Sequence, residues 1–384
     1  MSVELGPDRP AFGGARSGAP GNSERAGPAF SLFFFSSDGE EKERGKYESL
    51  LEIAAFADER GFEAVWTPER HFHRFGGLFP NPSVLGAAVA ARTNRIGIRA
   101  GSLSLPFHHP IRVAEDWSVV DNLSGGRAGL SVTYGWHPKE YVLAPELYEI
   151  RREAMFERLG VLRKLWRGEP VTFPAGGSEH EIARIYPPPV QRELPVWITT
   201  ARTRDTWRRA GEIGANVLTA LYAITPAELE ENMAVYRSAL REGGHSGGQV
   251  TLMLHTFLGD DPAEVRATVR EPMIRYLIHH TELYDPAMIA RELRIDPAQV
   301  GERHRRALAQ IAFERYWNDS ALFGTVETCS AKAERLFAAG VDEIACLIDF
   351  GVPDKETEAS LERIDRLRRK LAASAAKERS DEHG

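Results

Sequence analysis

The residues best suited to chemistry stand directly after short apolar runs. Thr67-Pro68-Glu69-Arg70-His71-Phe72-His73 follows the second such run. A histidine there can donate to, or accept from, a bound oxygen species near neutral pH; one that only ties its own loop would look the same in sequence. His71 and His73 have the spacing of a metal pair, but no third ligand stands at a supporting distance. His108-His109 and His279-His280 are adjacent, and adjacent pairs do not easily share one ion. No metal is expected. Gly101-Ser102 lies in a small-residue stretch ending the third run, where a flat ligand could approach the backbone; turn chemistry before Pro106 and Pro110 explains it equally. Ser131-Val132-Thr133-Tyr134-Gly135-Trp136-His137-Pro138 ends the fourth run with hydroxyls, a glycine and an indole, a reasonable wall for a ring. Thr199 to Asp205 leads into a helix that should begin near Thr203. Its free N–H groups and positive dipole end suit a phosphate, with Arg202 and Arg204 adding charge. An ordinary capped helix is the plain alternative.

The elements that must position these groups are legible. Apolar runs cover 30–35, 63–67, 95–105, 128–134, 195–200, 216–221, 250–258 and 343–350, without two-residue alternation, as in parallel strands buried on both faces. Helical stripes fill most gaps: Tyr47, Leu50, Leu51 and Ala54, with Gly61 as a cap; a segment opened by Pro110 and closed by Gly125-Gly126; Met155, Leu159, Leu162 and Trp166; and Leu361, Ile364, Leu367 and Leu371. Strand then helix, eight times over, predicts an α/β fold, a (β/α)8 TIM barrel. A plain barrel needs roughly 250 residues. The surplus falls in insertions near 168–194, read as a hairpin, and 262–324, read as extra helices, both at or leading from the C-terminal face. The barrel is expected over 29–371, with 1–28 a Gly/Pro-rich disordered extension or linker and 372–384 a fraying tail.

Composition narrows the classes further. The chain has 384 residues, 42% hydrophobic and 27% charged, with a formal net charge of −7. That balance argues against a nucleic-acid partner, which requires a basic face. Two cysteines, Cys329 and Cys346, exclude a disulfide scaffold and a Cys-rich zinc site. No apolar run approaches the roughly 20 residues of a membrane span, and the N-terminus lacks a signal-peptide core, so a cytoplasmic protein is expected. No G-x-G-x-x-G follows a strand, and no Walker loop or G-x-S-x-G elbow is present, so a dedicated nicotinamide domain is not expected.

From Phe30 to Pro353 the chain resembles the flavin-dependent, bacterial-luciferase-like monooxygenases, and within them the branch associated with polyketide and nonribosomal-peptide assembly. The resemblance is carried by the order and spacing of Phe30-Ser31-Leu32-Phe33-Phe34, the segments 64–72 and 105–115, Asp121-Asn122-Leu123-Ser124-Gly125-Gly126-Arg127, Gly135-Trp136-His137-Pro138 and Gly214-Ala215-Asn216-Val217-Leu218-Thr219. It implies reduced FMN at the C-terminal face, supplied by a separate reductase, with His71 beside the flavin's reactive edge. It also implies a non-prolyl cis peptide at Gly101-Ser102 under the ring, and Thr133, Tyr134 and Gly135 along the ring or ribityl chain. Thr200, Ala201, Arg202 and Thr203 would hold the phosphate, and Tyr148 and Arg151 would line the substrate pocket. The insertion 262–324 would close over the site. The implied substrate is an acyl or aminoacyl intermediate, presented free or on a carrier protein, and a homodimer through helices near strands one to three is implied too. Two departures stand out: Thr133-Tyr134 replaces a small Ala-Ser pair, and Arg202-Thr203-Arg204 replaces Gly-Asn-Pro. The residues leave two other readings open, a deazaflavin-dependent oxidoreductase and a non-catalytic barrel that has lost flavin.

Overall fold

Every apolar run of the sequence forms a strand, and the strands close on themselves. The computed structural model describes residues 27–35, 45–135, 137–222, 224–282, 296 and 300–382. Its strands are β1 (Ala29–Phe33), β2 (Ala64–Thr67), β3 (Gly97–Ser104), β4 (Ala128–Thr133), β5 (Val171–Ala175), β6 (Ser178–Ala183), β7 (Val196–Thr199), β8 (Asn216–Ala220), β9 (Val250–Leu258), β10 (Ala321–Gly324) and β11 (Glu343–Leu347). Eight of them, β1-β2-β3-β4-β7-β8-β9-β11, pair in parallel and return to β1, the expected (β/α)8 barrel. β5 and β6 form a separate antiparallel hairpin inside 168–194.

The helices are α1 (Lys46–Arg60), α2 (Pro82–Arg92), α3 (Pro110–Ser124), α4 (Arg151–Trp166), α5 (Arg204–Glu212), α6 (Pro226–Glu242), α7 (Pro262–Glu282), α8 (Glu302–Arg315), α9 (Val326–Ala338) and α10 (Asp354–Glu382). Their ends follow local chemistry. Gly61 caps α1 in the left-handed region at φ 91°, its N–H donating to the Ala57 carbonyl. Pro110 opens α3 at N1 and Gly125 closes it at φ 70°. No helix among the described residues is long and apolar enough to cross a membrane.

Two elements differ from the sequence reading. β10, a four-residue strand, pairs in parallel with the outer half of β9, Ala321 opposite His255 and Gly324 opposite Leu258. It follows a π-helical turn, Tyr316–Ser320. Only helices were expected across 262–324, because so short an apolar run beside a helical pattern carries no period of its own; residues 283–295 and 297–299 of that insertion lie outside the described residues. At the end of the chain, α10 runs on to Glu382 through the stretch expected as a tail. Alanines 372, 373, 375 and 376 favour helix, and no glycine or proline interrupts them. Residues 1–26, 383 and 384 lie outside the described residues.

The barrel floor is polar and closed. Arg99 Nη1 on β3 donates to both carboxylate oxygens of Glu343 on β11, at 2.8 and 3.0 Å. The same carboxylate accepts from Ser31 Oγ at 2.6 Å, Gln249 Nε2 at 2.6 Å and Trp66 Nε1 at 3.2 Å. The Arg99 guanidinium lies 4.9 and 4.4 Å from the centres of the Trp66 and Trp197 rings. Charge buried this deep persists only when each lone pair and proton is matched. Above it Phe33 and Trp66 fill the lumen, leaving the C-terminal ends of the strands to form the mouth.

Candidate active site

Four strand ends bring the candidate residues together. Beyond β2 the chain turns so that the Glu69 N–H donates to the Ser102 carbonyl at 3.0 Å, tying this loop to the end of β3. The Glu69 side chain is fully buried. Its Oε2 accepts the Ser104 amide at 2.6 Å, while Oε1 meets His71 Nε2 at 3.1 Å and also His108 Nε2. Burial alone would raise this carboxyl. The hydrogen bonds to His108 and His71, the charge of His108 and the Ser104 amide outweigh it and hold Glu69 below the ordinary value. For His108, burial works against the proton, but the hydrogen bond and charge of Glu69 win and its pKa rises. Arg158 donates to the His108 carbonyl at 2.6 Å, fixing the loop from behind.

His71 therefore has one ring nitrogen committed to an ionised carboxylate, which orients the imidazole. The ring is 14% exposed and meets Phe107 edge-on, centroids 6.0 Å apart. Its backbone N–H donates to the Glu140 carboxylate, and burial pushes that carboxyl up. Phe72, the next residue, has φ 60° and is 64% exposed. An exposed bulky residue in the left-handed region costs energy without packing gain, as is found at functional sites. His73 points elsewhere, its Nδ1 accepting the Phe75 amide at 3.0 Å. The described residues contain no group of three or more His, Cys, Asp or Glu side chains placed to hold a metal.

Ser102, Ser131 and Thr199, from β3, β4 and β7, form one hydroxyl cluster. Ser131 Oγ and Thr199 Oγ1 are 2.6 Å apart, and Ser102 Oγ also bonds Thr199 Oγ1. The Gly101-Ser102 peptide is cis, and the β3–β4 register shifts there. Position 101 must be glycine: a Cβ would sit 2.8 Å from Phe33 Cε2 and 3.0 Å from Trp66 Cε3. Thr133 and Tyr134 are half-buried, and Gly135 takes φ 74°. The Tyr134 carbonyl accepts from the Tyr141 hydroxyl, whose pKa burial raises to about 12. Trp136 lies outside the described residues.

Past β7 the Ala201 carbonyl is drawn inward by Trp207 Nε1 at 2.9 Å and Asn232 Nδ2 at 3.4 Å. Thr203 stands at the N-cap of α5 with no side-chain cap, and Arg202 and Thr203 are exposed. Asp205, within the first turn, is paired with Arg152 and Arg208. The donor set at this turn fits a phosphate: an uncapped helix start, an exposed guanidinium and a locally neutralised carboxylate. Arg204, by contrast, donates to Glu231 at 2.6 Å. Tyr222, beyond β8, ties the parts to one mouth. Burial pushes its hydroxyl up, with the charges of Arg202 and Arg70 and the Tyr134 hydroxyl acting on it, yet 46% of its surface is exposed. A side chain surrounded by protein and still open to water lines a cleft.

Tyr148 and Arg151 stand farther out. Arg151 lies 4.4 Å over the Tyr148 ring and donates to its carbonyl at 2.5 Å, and Tyr148 meets Tyr141 at 5.1 Å. They brace Tyr141. In the sequence His108, Glu140 and Tyr222 carry no individual role, and Glu69, Ser131 and Thr199 stand only as members of the runs at the strand ends. Glu69 stood two residues before His71, a usable signal; His108 and Thr199 reach the site only through strand pairing, which spacing does not report.

A family model for luciferase-like monooxygenases matches residues 29–343. The oxygenase component of a flavin-dependent trigonelline monooxygenase from Acinetobacter baylyi is 24% identical over 87% of this chain and 93% of its own length. A 4-hydroxyprotoasukamycin monooxygenase from Streptomyces nodosus subsp. asukaensis is 28% identical over 73% of this chain and 74% of its own. Among solved structures, the monooxygenase RslO1 from Streptomyces bottropensis superposes with a TM-score of 0.71 at 24% identity, covering 88% of this chain and 98% of that one. The FMN complex of the oxygenating constituent of 3,6-diketocamphane monooxygenase from Pseudomonas putida superposes at 0.70 and 19%, covering 90% and 98%. The fold is shared with these structures, and the family match spans the barrel from β1 to the start of β11. The chain belongs to the luciferase-like monooxygenases, a family of flavin-dependent enzymes.

Proposed function

We propose that this chain is the oxygenase component of a two-component system: it takes reduced FMN from a separate flavin reductase and, with dioxygen, oxygenates an acyl or aminoacyl intermediate of natural-product biosynthesis, free or presented by a carrier protein. The observation that carries the reading is the buried Glu69 carboxylate oriented on His71 and His108 beside the hydroxyl cluster of Ser102, Ser131 and Thr199. The trigonelline enzyme's designation as an oxygenase component and the FMN in the diketocamphane structure support the two-component and FMN parts of the reading. The Streptomyces relative supports a natural-product substrate.

Bound reduced flavin supplies the electrons that activate dioxygen. The chain's own groups then position, exclude water and manage one proton. The turn from Thr200 to Thr203 holds the phosphate on the start of α5 and Arg202. Thr133, Tyr134 and Gly135 line the ring or ribityl chain, above the Gly101-Ser102 peptide. The imidazole of His71, steadied by Glu69, holds or gives a proton at the reacting oxygen. Glu140 accepts the His71 backbone N–H and so helps fix this loop beside the site. Tyr148 and Arg151 act on the site through Tyr141.

His71→Ala tests this division of labour. Substrate oxygenation per reduced FMN consumed should fall on the order of 10²-fold, the scale of one positioned acid–base group. Binding of reduced FMN should change less than about threefold, well under the tenfold that corresponds to 1.4 kcal/mol. Stopped-flow spectroscopy with product quantification reads both. Unchanged coupling would remove His71 from the chemistry.

A further inference from the structure

One histidine of the barrel has no place in this scheme. His255 lies on the outer half of β9, where the strand extends beyond its pairing with β8 at Met253. Alternation along the strand fixes its direction. Thr251 accepts from Trp197 Nε1 at 3.1 Å inside the barrel, so residues 251, 253 and 255 all face inward. His255 thus stands above the floor, on the side of the mouth covered by α7.

Its surroundings are aromatic. Tyr276, Tyr316 and Phe350 meet the imidazole edge-on, with centroids 4.6, 5.2 and 5.6 Å away. The residue is 4% exposed, and its Nε2 has no hydrogen-bond partner among the described residues. Burial and the charge of His280 push its pKa down to about 3, so the ring is neutral. A buried polar atom without a partner is destabilising, and an all-apolar side chain would avoid the cost. The atom is not isolated from the mouth. Tyr276 stacks on His280 at 6.4 Å, and His280 meets the part-exposed Tyr222 at 6.2 Å. Ring-to-ring contacts thus connect His255, through Tyr276 and His280, to the part-exposed Tyr222 at the mouth.

We propose that His255 anchors the substrate: a planar, ring-bearing molecule lies along the wall of Tyr222, His280 and Tyr276 and places a neutral hydroxyl or carbonyl within hydrogen-bond reach of Nε2. The rings select an aromatic or conjugated body through edge and stacking contacts. The neutral imidazole selects an uncharged polar group, because a carboxylate brought here would lose its hydration without gaining a countercharge. A hydroxyl satisfies Nε2 in either tautomer, since it both donates and accepts. This rests on the monooxygenase reading for what becomes of the bound molecule, not for the binding itself.

The test is calorimetric titration of the full chain, with and without oxidised FMN, using 2-naphthol and naphthalene as probes. The wild type should bind 2-naphthol about tenfold more tightly than naphthalene, the worth of one buried hydrogen bond. His255→Phe should abolish that preference by weakening naphthol alone, and His255→Gln, whose amide reaches the position of Nε2, should restore most of it. Equal affinities in the wild type, no binding of either probe, or a preference that survives in His255→Phe would each overturn the proposal; the first two need no variant to fold. Reduced-FMN binding by the wild type, measured in parallel, reports on the proposed function separately. Its loss with the naphthol preference intact would sink the flavin reading and leave the anchor standing.

Discussion

Glu69→Ala is expected to destabilise the protein by roughly 2–4 kcal/mol, because the Ser104 amide and two part-buried histidines lose one shared acceptor. Coupled oxygenation should fall on the order of 10²-fold or more as His71 loses its orientation. Glu69→Gln keeps the volume and separates the two effects, since an amide oxygen can still accept from Ser104 but carries no charge to hold His108 protonated. The pH dependence has a definite sign. Glu69 lies below its ordinary 4.5 in the folded protein, so its contribution is present above that value and is lost as pH falls through the lower folded value. His108 lies above its ordinary 6.5, so its contribution is complete below 6.5 and is lost as pH rises through the raised folded value. The pair is strongest between about pH 4.5 and 6.5 and weakens on both sides. Melting temperatures of wild type and Glu69→Gln across pH 3 to 9, on the order of 0.5 unit apart, would show the variant's curve flatter at both ends; parallel curves would refute the coupling.

Glu343→Ala should be the more damaging change, about 3–5 kcal/mol, with the C-terminal mouth untouched. The difference lies in the partner. His108 can shed its proton when Glu69 is gone, but Arg99 cannot, and it would remain charged between Trp66 and Trp197 with only the part-exposed Glu63, at 3.3 Å, to balance it. Ser31 and Gln249 would lose their acceptor as well, while Trp66 Nε1 keeps Ser31 Oγ at 2.9 Å. Arg99→Met combined with Glu343→Leu should recover much of the loss, because an apolar pair leaves no buried charge; the remaining deficit measures the two orphaned donors, Ser31 and Gln249. Urea unfolding of Arg99→Met, Glu343→Leu and the double gives the coupling directly. Additive losses would mean that the two residues do not act as a pair.

These two carboxylates also mark the boundary of what the sequence makes legible. The barrel was readable because eight strands buried on both faces leave continuous apolar runs, and helices such as α3 carry their own start and stop residues in Pro110 and Gly125. The Gly101-Ser102 cis peptide expected from the family resemblance is present. His71 and the turn ending at Thr203 stand out in the sequence because they directly follow strands. Glu343, by contrast, reads in sequence as a charge at the edge of an apolar run, and only barrel closure reveals it as the floor. His108 was seen as half of an adjacent pair; its partner Glu69 is 39 residues away and is reached through the β2–β3 pairing. His255 was hidden inside a run read only as a strand, since burial and the lack of a partner are properties of packing. β10 and the helical end of α10 failed for the opposite reason: their local signals were too short or too bland to separate strand from helix, or helix from tail.

In the proposed function reduced FMN sits in the mouth with its phosphate on the turn from Thr200 to Thr203. Anaerobic titration of the protein with reduced FMN and with reduced riboflavin, which lacks only the phosphate, tests it most directly. FMN should bind at least about tenfold more tightly, with Arg202→Ala erasing most of that advantage and leaving riboflavin binding unchanged. Equal affinity for the two flavins, or no binding of either, would contradict it.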